Sequence, residues 1–383
     1  MTYQSKAINP RKETRYTTDK WLFMKIIKVL VSQAVPGMII ASDIYTKDNH
    51  LVIARDTTLT DKIITRLLFY SIVDISVYFQ STLVETVIDK EALSYYETIK
   101  KSEGFQRFLL AYKNNIVTFK GSIDRFINDE EAFDAEQLLK DTKIFLNKFD
   151  SNIDLINMLH CIRQYDDTTY IHSLNVAIIC SIIGKWLNFN QEELDVITLC
   201  GLLHDIGKLM IPSQIIKKPS KLTEEEYSVI KTHTVRGYNF LKDKEIDPRI
   251  KYSALMHHER CDGSGYPYGF TNNQIDSFAK LVSIADVYDA MTCARVYRGP
   301  LCPFQVVSLF ENEGYTKYDP KYIMTFLEGI VQTYIHNTVR LNNGMEGEII
   351  FINKMELSRP VVRAGNRFID LTKQRDIQIA CVV

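Results

Sequence analysis

Paired cysteines are missing from this chain. Its seven cysteines, at positions 161, 180, 200, 261, 293, 302 and 381, include no C-x-x-C spacing, and most sit inside apolar stretches. That argues against a disulfide framework and a thiolate metal cage, and fits reduced, buried thiols in a cytoplasmic protein. Net charge is also nearly absent: 46 Lys and Arg face 47 Asp and Glu, for a formal charge of −1. Nothing in that balance favours a nucleic-acid polymer or an anionic membrane as partner. No apolar run approaches the roughly 18 residues of a membrane span. The most hydrophobic N-terminal stretch, Trp21 to Ile40, carries Lys25 and Lys28 and is broken by Pro36-Gly37. Residues 1–20 lack the apolar centre of a signal peptide, and residues 1–25 read as a disordered tail. Repeats and low-complexity segments are absent too.

What is present is an ordinary globular composition, 46% hydrophobic and 24% charged, over 383 residues. That length allows two or three domains. Residues 26–80 read as a small α/β unit. Val29-Leu30-Val31, Met38-Ile39-Ile40 and Leu51-Val52-Ile53 are strand-like, and Thr58-Leu59-Thr60-Asp61 opens a helix whose apolar face is Ile63, Ile64, Leu67 and Leu68. Residues 81–150 are helical, charged and without a chemical motif. They read as a connector and as a candidate for pairing two copies into a homodimer. Residues 151–335 are almost wholly helical. From 336 to 383, strand-like runs around 339–341, 348–351, 360–362 and 368–371, with turn signals at Asn342-Asn343-Gly344 and Ala364-Gly365-Asn366, predict a small β appendage. The fold class is therefore mostly α, with a small α/β unit before the helical domain and a small β unit after it.

The chemistry is concentrated in the helical part. Of only eight histidines, five fall at positions 172, 204, 233, 257 and 258. His172 lies on the inward face of an apolar helix with Val176, Ile179 and Ile183. His204-Asp205 closes the apolar run from Ile197 to Leu203, and Asp286 closes another, Leu281 to Ala285. A lone carboxylate emerging from a buried helix is heavily penalised, and a cation is its natural compensation. Lys208 follows one turn after His204, and His233 follows a charged helix. Adjacent His257 and His258 would diverge by about 100° on a helix, so a helix end is required there. The Cys-Asp-Gly-Ser-Gly that follows supplies one. Nitrogen and oxygen donors of this kind suit Fe, Mn or Zn. Seven ligand groups exceed the shell of one ion, so two divalent ions bridged by Asp205 is the economical arrangement. Such a pair activates water and clamps a phosphoryl group in displacement, which points to phosphoester hydrolysis.

These residues resemble the HD superfamily of metal-dependent phosphohydrolases, and more narrowly its HD-GYP branch. The resemblance covers roughly residues 150–330 and rests on the order and separation of His172, His204-Asp205, His233, His257-His258 and Asp286. It rests equally on the segment His257-His258-Glu259-x-x-Asp262-Gly263-x-Gly265-Tyr266-Pro267. It implies an all-helical catalytic domain that opens cyclic di-GMP to the linear dinucleotide or GMP. His172, His204, Asp205 and Asp286 would hold one metal; Asp205, His233, His257 and His258 would hold the other. Lys208 would meet the scissile phosphate, and Gly265 and Tyr266 would shape the pocket. Asp289, Arg295 and Arg298 are expected on the substrate side.

Three positions depart from the family pattern. Thr168 stands where some members place a glutamate for a third metal, which keeps the expectation at two. Thr234 and Phe270 replace a common proline and leucine. Two rival readings remain open: a silent cyclic di-GMP sensor, and a phosphodiesterase for another cyclic dinucleotide such as cyclic GMP-AMP.

Overall fold

The computed structural model describes residues 26–31, 34, 37–46, 51–70, 72, 74–78, 99–128, 132–149, 151–162, 168–216, 218, 223–292 and 302–383. The expected tail (1–25), the side chain of Thr168, Cys293, Arg295 and Arg298 lie outside that description.

The N-terminal unit contains β1 (Ile26–Leu30), β2 (Ile39–Ile40), β3 (Ile44–Tyr45), β4 (Leu51–Ile53), α1 (Asp61–Phe69) and β5 (Asp74–Tyr78). β5 lies between β1 and β2, antiparallel to both, and β3 pairs with β4. Val29, Ile40, Val52, Ile64, Leu67, Ile75 and Val77 form its own small core.

The helices follow: α2 (Glu103–Ile127), α3 (Ala135–Leu146), α4 (Asn152–Cys161), α5 (Thr168–Trp186) and α6 (Gln191–Leu203). After a 3-10 turn at Ile206–Met210 come α7 (Ser213–Ile216), α8 (Glu224–Lys231), α9 (His233–Leu241), α10 (Pro248–Met256), α11 (Ser277–Thr292), α12 (Pro303–Glu313) and α13 (Pro320–Gln332). Their starts are written locally. Ser102, Asp134 and Ser151 accept a backbone N–H at the first turns of α2, α3 and α4. Asn190 with Glu193 and Thr223 with Glu226 form capping boxes on α6 and α8. Proline sits at the first turns of α10, α12 and α13, where its missing N–H costs nothing.

α5 and α6 are apolar nearly all round because both are interior. Leu174, Val176, Ala177, Ile178, Ile182 and Ile183 on one, and Ile197, Cys200, Leu202 and Leu203 on the other, are buried. The stretch expected as a connector belongs to this same core. Phe105, Phe108, Tyr112, Phe145 and Leu146 pack into it, and the Tyr112 hydroxyl donates to Asn175 Oδ1 at 2.6 Å. No helix among the described residues is long and apolar enough to cross a membrane.

The chain ends in a five-stranded antiparallel sheet in the order β10-β6-β7-β8-β9, with β6 (Thr338–Leu341), β7 (Glu346–Phe351), β8 (Val361–Ala364), β9 (Arg367–Asp370) and β10 (Ile379–Val382). Ile349, Val362 and Ile369 align across β7, β8 and β9 on its buried face. The fold is thus mostly α with a small sheet unit at each end, as the sequence predicts.

Candidate metal centre

Two close backbone approaches bring distant donors together. A Cβ on Gly201 would lie 2.6 Å from Ala177 Cα, so α5 and α6 touch where only glycine fits. His172 on α5 and His204 just past the end of α6 then have ring centroids 5.2 Å apart. A Cβ on Gly207 would fall 1.9 Å from the His233 carbonyl oxygen, so the 3-10 turn lies directly on the start of α9. His257 caps α10, which ends at Met256, and His258 follows in the turn; their centroids are 4.1 Å apart. The helix end required by two adjacent histidines is there.

Asp205 is the hub. Its Oδ2 lies 3.6 Å from His172 Nε2, 3.4 Å from His204 Nε2 and 2.5 Å from Lys208 Nζ. Its Oδ1 lies 3.3 Å from His233 Nε2 and 3.6 Å from His257 Nε2. Asp286, on α11, places Oδ1 3.0 Å from His172 Nε2 and Oδ2 3.7 Å from His258 Nδ1. Two groups of donors result, His172-His204-Asp205 and Asp205-His233-His257-His258, each with its donor atoms within 4.8 Å of one another. One carboxylate is common to both.

Hydrogen bonds on the far side of each ring fix what faces inward. Nδ1 of His204 donates to the Gly201 carbonyl (2.7 Å), Nδ1 of His233 to Ile230 (2.7 Å) and Nδ1 of His257 to Ser253 (3.0 Å). In neutral rings so held, each Nε2 presents a lone pair toward the Asp205 oxygens. Burial lowers the His257 pKa to about 4 and holds His258 well below the ordinary imidazole range. Burial would raise Asp205, but Lys208 and His204 outweigh it and keep the carboxyl far below its usual range. Asp286 is depressed likewise, against burial, chiefly by its bond to His172. His172 is opposite: burial would lower it, yet its bonds to Asp286 and Asp289 raise it to about 10.

Around Asp205, the inward nitrogens of His204, His233 and His257 thus meet carboxylate oxygens that are themselves acceptors. Nε2 of His204 and Oδ1 of Asp205 are buried with no hydrogen-bond partner of acceptable geometry. Such orphans require an explanation, and a cation supplies it. Nitrogen and oxygen donors without thiolate fit a divalent metal of borderline character.

Around the donors, Glu259 is buried and accepts the N–H groups of Tyr268 (2.8 Å) and Phe270 (3.0 Å). A Cβ on Gly265 would lie 2.4 Å from Glu259 Cα, so the loop folds back onto the two histidines. Tyr266 is thereby stacked on His258, centroids 4.7 Å apart at 25°. Arg260 donates to the carbonyls of His257 and Glu259. Glu259 and Arg260 carried no role in the sequence reading. Two ionisable side chains directly after two donor histidines were the available signal.

The seven donor candidates and Lys208 are brought together, with Gly265 and Tyr266 at their edge. Asp289, expected on the substrate side, has a contact that the sequence does not announce. It is buried, and its Oδ2 accepts Nδ1–H of His172 at 2.7 Å, so this carboxylate is placed to orient a donor imidazole. Arg295 and Arg298 stay outside the described residues.

Fold and donors define a helical domain with a histidine–aspartate centre of the kind that takes divalent metal. Residues 135–322 match the family model for the HD domain, a match that begins inside the expected connector. Three relatives match about half of the chain or less. Cyclic di-GMP phosphodiesterase PA4108 of Pseudomonas aeruginosa is 31% identical over 53% of this chain and 49% of its own length. The 3'3'-cGAMP-specific phosphodiesterase 1 of Vibrio cholerae is 40% identical over 41% of this chain and 36% of its own. A cyclic di-GMP phosphodiesterase of Thermotoga maritima is 31% identical over 51% and 52%. The chain spans about half the length, or less, of these curated relatives. Residues 135–322 thus carry an HD domain, and the His-His-Glu and Gly-Tyr-Pro segment within it is similar to that of the HD-GYP branch.

Proposed function

We propose that this protein is a metal-dependent phosphodiesterase that opens a cyclic dinucleotide, with cyclic di-GMP as first substrate and pGpG or GMP as product. The observation that carries the reading is Asp205, whose two oxygens face two separate sets of imidazoles. A carboxylate so placed is suited to bridge two ions, Fe or Mn ahead of Zn, with His172, His204 and Asp286 on one side and His233, His257 and His258 on the other. When bound, the ions supply the Lewis acidity that makes water nucleophilic near neutral pH and neutralises phosphoryl charge.

The chain's own groups do the rest. Asp289 holds the His172 ring in place through Nδ1. Lys208, its ammonium already beside Asp205, carries a fixed positive charge to an oxygen of the scissile phosphodiester and stabilises charge developing there. Tyr266, stacked on His258, offers its ring and hydroxyl at the edge where the nucleoside would lie. Cyclic GMP-AMP is the second reading, favoured by the 40% identity to the Vibrio cholerae cGAMP-specific enzyme.

The test is turnover of both cyclic dinucleotides by protein loaded with Fe or Mn without oxygen, with metal content measured on the same sample. Hydrolysis that chelation stops, and that Asp205→Ala lowers at least a thousandfold, is the expected result. Tight binding with no turnover by metal-replete protein would establish the sensor instead.

A further inference from the structure

A cation outside the donor cluster lies beside Tyr266, at the cluster's edge. Tyr227 and Lys231 are one turn apart on α8 and share a face. The Lys231 ammonium is 4.4 Å from the centroid of the Tyr227 ring and 5.6 Å from that of Tyr266. Tyr266 in turn stacks on His258 and meets the His233 ring at 6.5 Å. The ammonium therefore lies beside the one ring that also contacts two donor imidazoles.

Resting on the phosphodiesterase reading, we propose that Lys231 binds the phosphodiester that is not cut, with Tyr227 and Tyr266 flanking it as aromatic faces for the adjoining purine. A cyclic dinucleotide carries two phosphodiesters and two bases. Only one phosphodiester can sit at the donor centre with Lys208, so the other must lie along the edge of the pocket. An ammonium held over two rings has given up part of its hydration, which strengthens its attraction to an arriving phosphate. Tyrosine faces accept any purine by stacking, so this wall selects for a dinucleotide over a simple diester without choosing guanine or adenine. A ring staple that merely fastens α8 to the Tyr266 loop would make the same contacts. It would have no reason to distinguish a substrate with two phosphates from one with a single phosphate.

That difference is the experiment. Metal-loaded full-length protein, as wild type, Lys231→Met and Lys231→Arg, is assayed on cyclic di-GMP and on bis(p-nitrophenyl) phosphate, which has one phosphate. Lys231→Met is expected to raise KM for cyclic di-GMP about tenfold, the scale of one charge-assisted hydrogen bond, with little change in kcat. Lys231→Arg should restore most of the loss, and the single-phosphate diester should be turned over equally by all three. An unchanged KM, or an equal fall on both substrates, overturns the proposal. Equilibrium binding of cyclic di-GMP separates the two readings. A wild type that binds without cutting refutes the phosphodiesterase but upholds Lys231 if Lys231→Met binds about tenfold more weakly. No binding by wild type refutes both.

Discussion

The helical centre and the C-terminal sheet are both rich in charge, and they manage it in opposite ways. On the sheet, Glu348 meets His336 at 2.8 Å and also Arg363, Arg340 meets Glu346 at 2.8 Å, and Arg375 meets Glu356. Each is a local pairing at the surface, where water already screens the charge. In the helical centre, Asp205 alone faces four imidazoles and an ammonium, and its burial is nearly complete at 1% exposure. Burial removes the solvent alternative, so each group there depends on several others, and the surplus of acceptors demands an ion. Charge at the surface is tolerated; charge inside is assigned work.

Three substitutions grade that contrast. The largest effect should come from Gly207→Ala, whose new methyl would strike the His233 carbonyl and the backbone of Gly237. Neither can yield like a flexible side chain, so a loss of about 3 kcal/mol is expected, at the upper end of over-packing costs. Calorimetry reads it, and a melting point equal to wild type would mean the two backbones are less tightly apposed than described.

Asp289→Asn should be intermediate. It removes the anion behind His172, and metal affinity should fall by roughly 10- to 100-fold. Activity should return with excess metal while KM stays near wild type. A raised KM that added metal cannot repair would place Asp289 on the substrate side. Glu348→Gln should be smallest, with no resolvable change in melting temperature or metal content. A clear loss of metal would show the sheet and the centre to be one energetic unit.

The contrast also explains what the sequence revealed. The donors were legible because histidine is rare here and each buried carboxylate ends an apolar run, a costly pattern without a partner. The apolar alternation of β7 and β8 was legible for the same reason that surface sheets are easy, since one face is wet and the other dry. The place of α2 and α3 was not. An amphipathic helix with Phe105, Phe108 and Tyr112 inward and Leu110 and Val117 exposed looks alike whether its inner face meets its own core or another chain. β10, too, escaped notice. Ile379 to Val382 becomes a strand by pairing with β6, nearly forty residues upstream, and no local pattern announces so distant a neighbour. The contact of Asp289 with His172 was not legible either, because its spacing from Asp286 gives a helix face and says nothing of a residue more than a hundred positions away.

Glu259 has a last consequence. Because an interior anion grips the amides of Tyr268 and Phe270, the rim bearing Tyr266 takes its shape from the protein's own folding. A ligand reaching that rim would meet a lip already shaped, and the entropy of ordering those residues would not be subtracted from its affinity.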